Sequence, residues 1–302
     1  MIKILLRQRK KQWNKHDYKA PWKERIVPWL FLAPSLFVVS VMVLLPLLDA
    51  FRRSFFLAVS SRFVGLQNYI SVLGNSAFKL AAGNTAKFIA VCMPLLLVIS
   101  LSVALMLTAF QEKHGIFKTS FLVPMAIPVA SIVLLWRVIF HRNGLLNGIL
   151  ALWDAAPVDW IGSAASFGVL VFAYLWKNFG YDMVLWLSGI SAINPALYEA
   201  AQIDGAGTLR CFVHVVMPVC QPVLGAAIAL SFADCWNLVE QPLTYLTTHT
   251  ELYPLSVAFN QLTQKSTGVE FAGAALYTLP ALFIYLFFQN DILEGGQLTE
   301  LK

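Results

Sequence analysis

The stretch that decides the fold reads NPALYEAAQIDGAGTLRCFVHVVMPVCQP, residues 194–222, and it stands between two strongly apolar runs. Asn194 is a good N-cap, and Pro195 suits the first helical position. The residues from Ala196 to Asp204 are mostly strong helix formers, with Glu199 and the small pair Ala200 and Ala201 in the middle. Gly205 follows Asp204, where a helix commonly ends on a left-handed residue. Thr208 is placed to cap a second helix running to about Met217, and Pro218 and Pro222 mark the entry to the next apolar run. The stretch therefore reads as helix, glycine turn, helix. On physics alone it is either a well-capped solvated connector or a docking surface. The alanines leave a shallow face for close packing, and Glu199 offers one charge to a basic partner.

The runs around the hairpin set its surroundings. Of 302 residues, 58% are hydrophobic and only 13% charged, against about 25% charged in an ordinary soluble domain. Ile26–Leu48, Phe88–Phe110 and Phe271–Asn290 hold no charged residue. Each is long enough to cross a hydrocarbon core of about 30 Å as a helix rising about 1.5 Å per residue. Six spans are read, at about 27–51, 84–110, 119–140, 164–192, 219–240 and 270–290. The expected fold class is an all-α integral membrane protein of six transmembrane helices, with the hairpin at 194–218 between the fourth and the fifth.

Charge sets the orientation. Nine Lys or Arg fall within residues 1–25, opposed by Asp17 and Glu24. Such a cluster just before a span reads as a cytoplasmic retention signal rather than a nucleic-acid surface. The first span is too long for a signal-peptide core and no cleavage site follows it, so it is read as permanent. Six crossings then place both termini, 111–118 and 194–218 in the cytoplasm, and 52–83, 141–163 and 241–269 outside. Arg52, Arg53, Arg62, Lys79 and Lys87 fall on the outer side and are outweighed by the N-terminal cluster. The chain divides into a basic segment 1–26, a six-helix body 27–290 and a cytoplasmic tail 291–302.

Polar residues inside spans are expensive, so they face the protein interior or a wet cavity. Tyr174, Lys177, Asn178 and Tyr181 recur at helical spacing in span four and form one stripe. Ser231, Asp234 and Leu238 form a second in span five, with Trp236 and Asn237 beside it. Aromatic faces among hydrogen-bonding groups suit a sugar ring. Lys177 and Asp234 either meet the solute or pair with each other. Arg137 and His141 are read as snorkelling, and Trp136, Trp153 and Trp160 as an interfacial aromatic belt. His214 is read as packed or solvated.

Some chemistries find no residues to carry them. Cys92, Cys211, Cys220 and Cys235 form no C-x-x-C pair and read as reduced, buried thiols. No His, Cys, Asp and Glu cluster has metal-ligand spacing. The chain contains no Gly-Lys dipeptide and hence no phosphate-binding loop of the G-x-x-x-x-G-K-[ST] kind, so ATP is not expected on this chain.

Glu199, Ala200, Ala201, Gly205, Val215, Met217 and Pro218 match the pattern E-A-A, three residues, Gly, nine residues, aliphatic, one residue, aliphatic, Pro. This resembles the EAA signature of permease subunits of binding-protein-dependent ABC importers, with Val215 and Met217 in place of the usual Ile and Leu. "EAAQIDGAG", "FVGLQNYISVL", "NTAKF", "GLLNGIL", "DWIG" and "YLWKNFGYDMVLWLSGISAINPALYEAA" are similar to the first-type permease of carbohydrate importers such as the maltose family, over about residues 29–240. "ELYPLSVAFNQL" and "EGGQLTELK" resemble the partner permease type instead.

The resemblance implies a transport subunit rather than an enzyme, in a bacterial or archaeal plasma or inner membrane. Its implied partners are a second permease, two ATPase subunits that hold ATP and Mg, an extracytoplasmic solute-binding protein, carbohydrate and membrane lipid. Glu199, Ala200, Ala201, Asp204, Gly205 and Pro218 would couple to the ATPase, with Glu199 bridging to a basic residue there. Closure of the ATPase pair would push the hairpin and rock spans four and five. Tyr181 and Ser231 stand where the maltose family places sugar contacts, and Tyr174, Lys177, Asn178, Asp234 and Asn237 join them as candidate path residues. Other readings are a permease for glycerol phosphate, a polyamine or an amino acid, a stand-alone secondary transporter, and an intramembrane enzyme. For the last two the chain shows no visible internal repeat and no catalytic set.

Overall fold

The computed structural model describes residues 22–57, 60–109, 114–262 and 267–300; the basic segment before Trp22 lies outside them. Secondary structure within them is helical, with one isolated antiparallel bridge between Phe56 and Phe63. The chain separates into two units, residues 1–53 and 54–302.

In the first unit, α1 (Trp22–Val39) passes through a π turn at Ser40–Leu44 into α2 (Leu45–Arg53). The apolar stretch Ile26–Arg53 has a mean hydropathy of 2.5 over its best window. The wide turn comes just before Pro46, where a regular helix would press the proline ring on a carbonyl of the preceding turn. Asp49 closes the element by accepting from Arg52 at 2.9 Å and Arg53 at 2.6 Å.

The second unit holds the remaining elements. Helix α3 (Gln67–Gly74) leads through Asn75, whose side chain accepts from the Ala77 N–H at 2.9 Å, into α4 (Ser76–Ala109). With 34 residues, α4 is longer than a bilayer core requires. The segment read as the third span is two helices, α5 (His114–Ala126) and α6 (Val129–Ile139), set at 96° across Ile127 and Pro128. This corrects the continuous span read at 119–140. Pro128 disfavours helical geometry at Ile127 before it and opens α6 as its N-cap. Next come α7 (Leu145–Ala151) and α8 (Ser166–Ser191). The hairpin is α9 (Pro195–Ile203) and α10 (Thr208–Cys211); a π turn at Phe212–Val216 extends α10 into α11 (Met217–Val219). Helix α12 (Gln221–Trp236) then leaves at 67° to the preceding segment. The chain finishes with α13 (Glu240–Tyr245), α14 (Leu255–Leu262) and α15 (Thr267–Glu300), the last running ten residues beyond the Asn290 at which the sixth span is read to end.

Three helical stretches, Ile26–Arg53, Ser76–Thr108 and Gly268–Gly295, are long and apolar enough to cross a membrane, and each bent pair adds one more by length and composition. Helix α8 has 26 residues, but Lys177, Asn178 and Asp182 lower its hydropathy. It packs against α4 and α5, while α12 packs against α15. Small residues let these backbones approach. A Cβ on Gly180 of α8 would overlap the Phe121 carbonyl of α5, and one on Gly189 would press the Val223 side chain of α12.

Two apolar clusters divide along α4 and α8. Phe88, Cys92, Leu96, Leu170, Tyr174, Cys235 and Tyr245 form the first. Ala104, Leu107, Met183, Trp186, Ile190, Cys220 and Val223 form the second, towards the hairpin. Cys92, Cys220 and Cys235 are buried free thiols, and Cys211 is half-buried. Trp136 is packed against Phe140, Phe172 and Trp176 with ring centroids 5.6, 5.1 and 5.1 Å away.

Candidate functional site

The hairpin is built by its caps. The Asn194 side chain accepts from the Ala196 N–H at 3.0 Å, and Pro195 takes the first turn. At the other end Asp204 is the C-cap and Gly205 stands at φ +74°. The Ala206 N–H donates to the Ala201 carbonyl at 2.9 Å and the Gly205 N–H to the Gln202 carbonyl at 3.0 Å. These two bonds make a Schellman cap, so the turn satisfies the carbonyls that α9 leaves open. The second helix starts one residue earlier than expected. Gly207 is the N-cap in extended geometry, and Thr208 is the first helical residue with no side-chain cap bond. The helix also continues past Met217 to Val219, its π turn again easing the approach to a proline, Pro218.

Glu199, Ala200, Asp204, Gly205 and Pro218 are exposed, and Ala201 is half-buried. The hairpin thus presents one carboxylate among small residues. Two large apolar side chains flank the elbow, Ile203 at 86% and Leu209 at 76% exposure. Tyr198 and Phe212 pack inward on the second cluster. His214 is exposed, with its Nδ1 3.0 Å from the Arg210 carbonyl.

The polar stripes of α8 and α12 come together, in an arrangement that the spacing alone does not reveal. Tyr174 is 1% exposed and sits in the first apolar cluster; its hydroxyl donates to the Ser231 carbonyl at 3.4 Å. Ser231 is 3% exposed, and its hydroxyl donates to the Asp182 carboxylate at 3.0 Å. Asp182, itself 2% exposed, lies beside the stripe in sequence and is not among the residues that spacing selects. Lys177 and Tyr181 are half-buried and Asp234 is exposed. Among the described residues the ion pairs within 4 Å are Asp49 with Arg52 and Arg53, and His249 with Glu251; Lys177 and Asp234 make no contact that short but lie near enough for their opposite charges to attract. Asn178 turns back on its own helix, donating to the Tyr174 carbonyl at 3.0 Å. Asn237 ends α12, donating to the Ala233 carbonyl at 2.9 Å and accepting from the Tyr277 hydroxyl at 3.2 Å. Leu238 lies beyond the end of α12 at Trp236 and leaves the stripe that spacing assigns to it.

Polar residues that the spacing does not single out hold the connectors opposite the hairpin. Asn147 donates to the Arg142 and Val158 carbonyls at 2.9 and 2.7 Å and accepts from the Val158 N–H and the Trp160 indole at 3.0 and 3.1 Å. That indole bond ties Trp160 to this loop. Asn84 donates to the Glu251 and Tyr253 carbonyls at 2.7 and 3.1 Å, and Thr85 accepts from the Leu255 N–H at 2.8 Å. His249 lies 2.9 Å from the Glu251 carboxylate and 3.3 Å from the Gly162 carbonyl, bridging two connectors. The carboxylate beside it raises the His249 pKa above 6.5, and the imidazole lowers that of Glu251 below 4.5. The signal for Asn84 and Asn147 is their place in the stretches "NTAKF" and "GLLNGIL".

A family model described as binding-protein-dependent transport system inner membrane component matches residues 97–291. The trehalose/maltose transport system permease protein MalF of Thermococcus litoralis is 33% identical over 233 residues, which cover 75% of this chain and 79% of that protein. The arabinooligosaccharides transport system permease protein AraP of Bacillus subtilis is 27% identical over 257 residues, covering 80% and 82%. Among solved structures, a bacterial alginate ABC transporter in complex with an alginate pentasaccharide-bound periplasmic protein superposes with a TM-score of 0.71 at 20% identity, over 88% of this chain and 93% of that one. That last likeness is one of fold.

Proposed function

This chain belongs to the family of inner membrane components of binding-protein-dependent transport systems, and from that premise we propose that it is the permease subunit of an ABC importer for a sugar or oligosaccharide. The observation that carries the reading is the capped hairpin at 194–218, with Glu199 and Ala200 exposed beside a Schellman elbow. A short helix stiffened at both ends, α9, transmits a push from a docked partner without bending, and beyond the Gly205 elbow α10 runs directly into α11, delivering that push to the start of α12. Separate ATPase subunits supply ATP and Mg, and Glu199, Ala200, Ala201, Asp204, Gly205 and Pro218 form the coupling surface. Six spans, α1 with α2, α4, α5 with α6, α8, α12 and α15, carry both termini and the hairpin on the cytoplasmic side of an inner membrane.

The solute path follows the polar faces of α8 and α12, completed by a second permease chain. Tyr181, Lys177 and Asp234 offer an aromatic edge and two opposite charges to hydroxyl groups. Tyr174, Asn178, Ser231 and Asn237 support them from the helix interface. An extracytoplasmic binding protein delivers the solute to the connectors at 141–163 and 241–269. The names of the maltose, trehalose and arabinooligosaccharide relatives support carbohydrate as the cargo.

The test is reconstitution of the assembled complex in vesicles with its binding protein, against a panel of maltodextrins, pentose oligosaccharides, glycerol phosphates and polyamines. Stimulated ATP hydrolysis and uptake with a carbohydrate are expected. Stimulation only by a phosphate ester or a polyamine would replace the cargo, and uptake without any ATPase subunit would replace the mechanism.

A further inference from the structure

A cavity of about 1250 Å³ opens beside the hairpin, bounded by the far end of α4, the start of α5 and the last turns of α8. It exceeds the roughly 300–1,000 Å³ of common small-ligand pockets. Leu105, Leu187, Ile190 and Phe212 make an apolar wall, and Lys118 and Ser191 stand on the same cavity, both exposed. Lys118 has no ion-pair partner among the described residues. None of the proposed path residues lines the cavity, and at about 1.5 Å per residue Leu187, Ile190 and Ser191 lie about 9–21 Å further along α8 than Lys177 and Tyr181. The cavity is therefore separate from the proposed solute path.

We propose that this cavity binds one anionic phospholipid, with its phosphate at Lys118 and an acyl chain along Leu105, Leu187 and Ile190. Its position supports the assignment. It sits where α4 and α8 end beside an amphipathic hairpin, the level at which headgroups meet water. Basic pockets between membrane helices at that level attract anionic headgroups. One cation beside a wall of large apolar side chains suits an amphiphile better than a free anion. Tyr198 and Phe212 of the hairpin line the same cavity, so a bound lipid fills the space behind the coupling element and stiffens its seat. The proposal rests on the membrane placement of the family and not on the identity of the solute.

The test is native mass spectrometry of the detergent-purified complex, loaded with phosphatidylglycerol or phosphatidylcholine. Variants Lys118→Gln and Ser191→Trp are compared, both at exposed positions where folding is expected to be unaffected. One retained phosphatidylglycerol is expected, with apparent affinity falling about five-fold in Lys118→Gln, the contribution of one lysine near an anionic surface. Ser191→Trp is expected to exclude it by filling the mouth. Excess inorganic phosphate should leave it in place. Equal retention in all variants, equal retention of phosphatidylcholine, displacement by inorganic phosphate, or cross-linking of Cys211 to a second permease or ATPase chain in lipid-free complex would each overturn the assignment. A change of transported solute would leave it standing.

Discussion

Asp182 takes the Ser231 hydroxyl bond at 3.0 Å with both residues almost fully buried, and with the Tyr174 bond to the Ser231 carbonyl it ties α8 to α12 beside the proposed path. Spacing points to Tyr174, Lys177 and Tyr181 because they share a face, whereas Asp182 lies one residue off that face and is legible only as a charge in a span. Asp182→Leu leaves the Ser231 hydroxyl orphaned, which costs about 1–3 kcal/mol. Asp182→Asn retains an acceptor. Thermal unfolding of the purified protein should therefore show a clear loss for the leucine variant and a small one for the asparagine variant; equal losses would contradict the bond's role. Gly205 is legible from its place after Asp204, and its φ of +74° meets that expectation. Gly205→Val costs roughly 1–2 kcal/mol for the left-handed backbone. Nothing lies within 4 Å of a Cβ there, so the penalty is conformational rather than steric. The expected result is ATP hydrolysis without matching uptake, and wild-type coupling would remove the elbow from the mechanism.

Among the elements, the hairpin is legible nearly whole because caps and turns are local chemistry. The misplaced second cap has a local reason too. Gly207 takes extended geometry and leaves Thr208 free to enter the helix. Glu199→Lys reverses the one charge that the exposed face of α9 carries. Loss of ATPase co-purification with normal membrane insertion is expected, while undiminished co-purification would place docking elsewhere. The connectors opposite the hairpin carry a pH dependence. The His249 contribution is complete below its ordinary pKa of 6.5 and is lost as pH rises through the raised folded value. The Glu251 contribution is present above its ordinary 4.5 and is lost only as pH falls through the lowered value. The bridge between the two connectors is therefore complete from about pH 5 to 6 and weakens on alkalinisation. Hydrogen exchange of the Thr248–Leu252 amides should speed up as pH rises above 6.5 beyond the intrinsic base dependence, and His249→Gln should abolish that excess. An excess surviving in the variant would assign it to another group.

Over the body formed by residues 54–302, α8 is the element on which the rest converges, packing on α4, α5, α12, α13 and α15. Its closest approach is at Gly180 against the Phe121 carbonyl, a backbone atom that cannot rotate away. Gly180→Leu must push α5 off α8, an overpacking cost of about 1–3 kcal/mol or more. A lowered melting temperature and reduced yield of assembled complex are expected, and a normal melting curve would show that α5 can shift without loss. The amino-acid sequence by itself determined that the chain is helical and membrane-embedded, where its apolar runs lie and how its hairpin is capped, because hydropathy, periodicity and capping act within a few residues along the chain. Tertiary structure alone decided the approach of Gly180 to the Phe121 carbonyl, the bond from Ser231 to Asp182, and the cavity behind the hairpin. Each of these depends on which helix lies across from which, and that is set by close contacts between residues far apart in sequence.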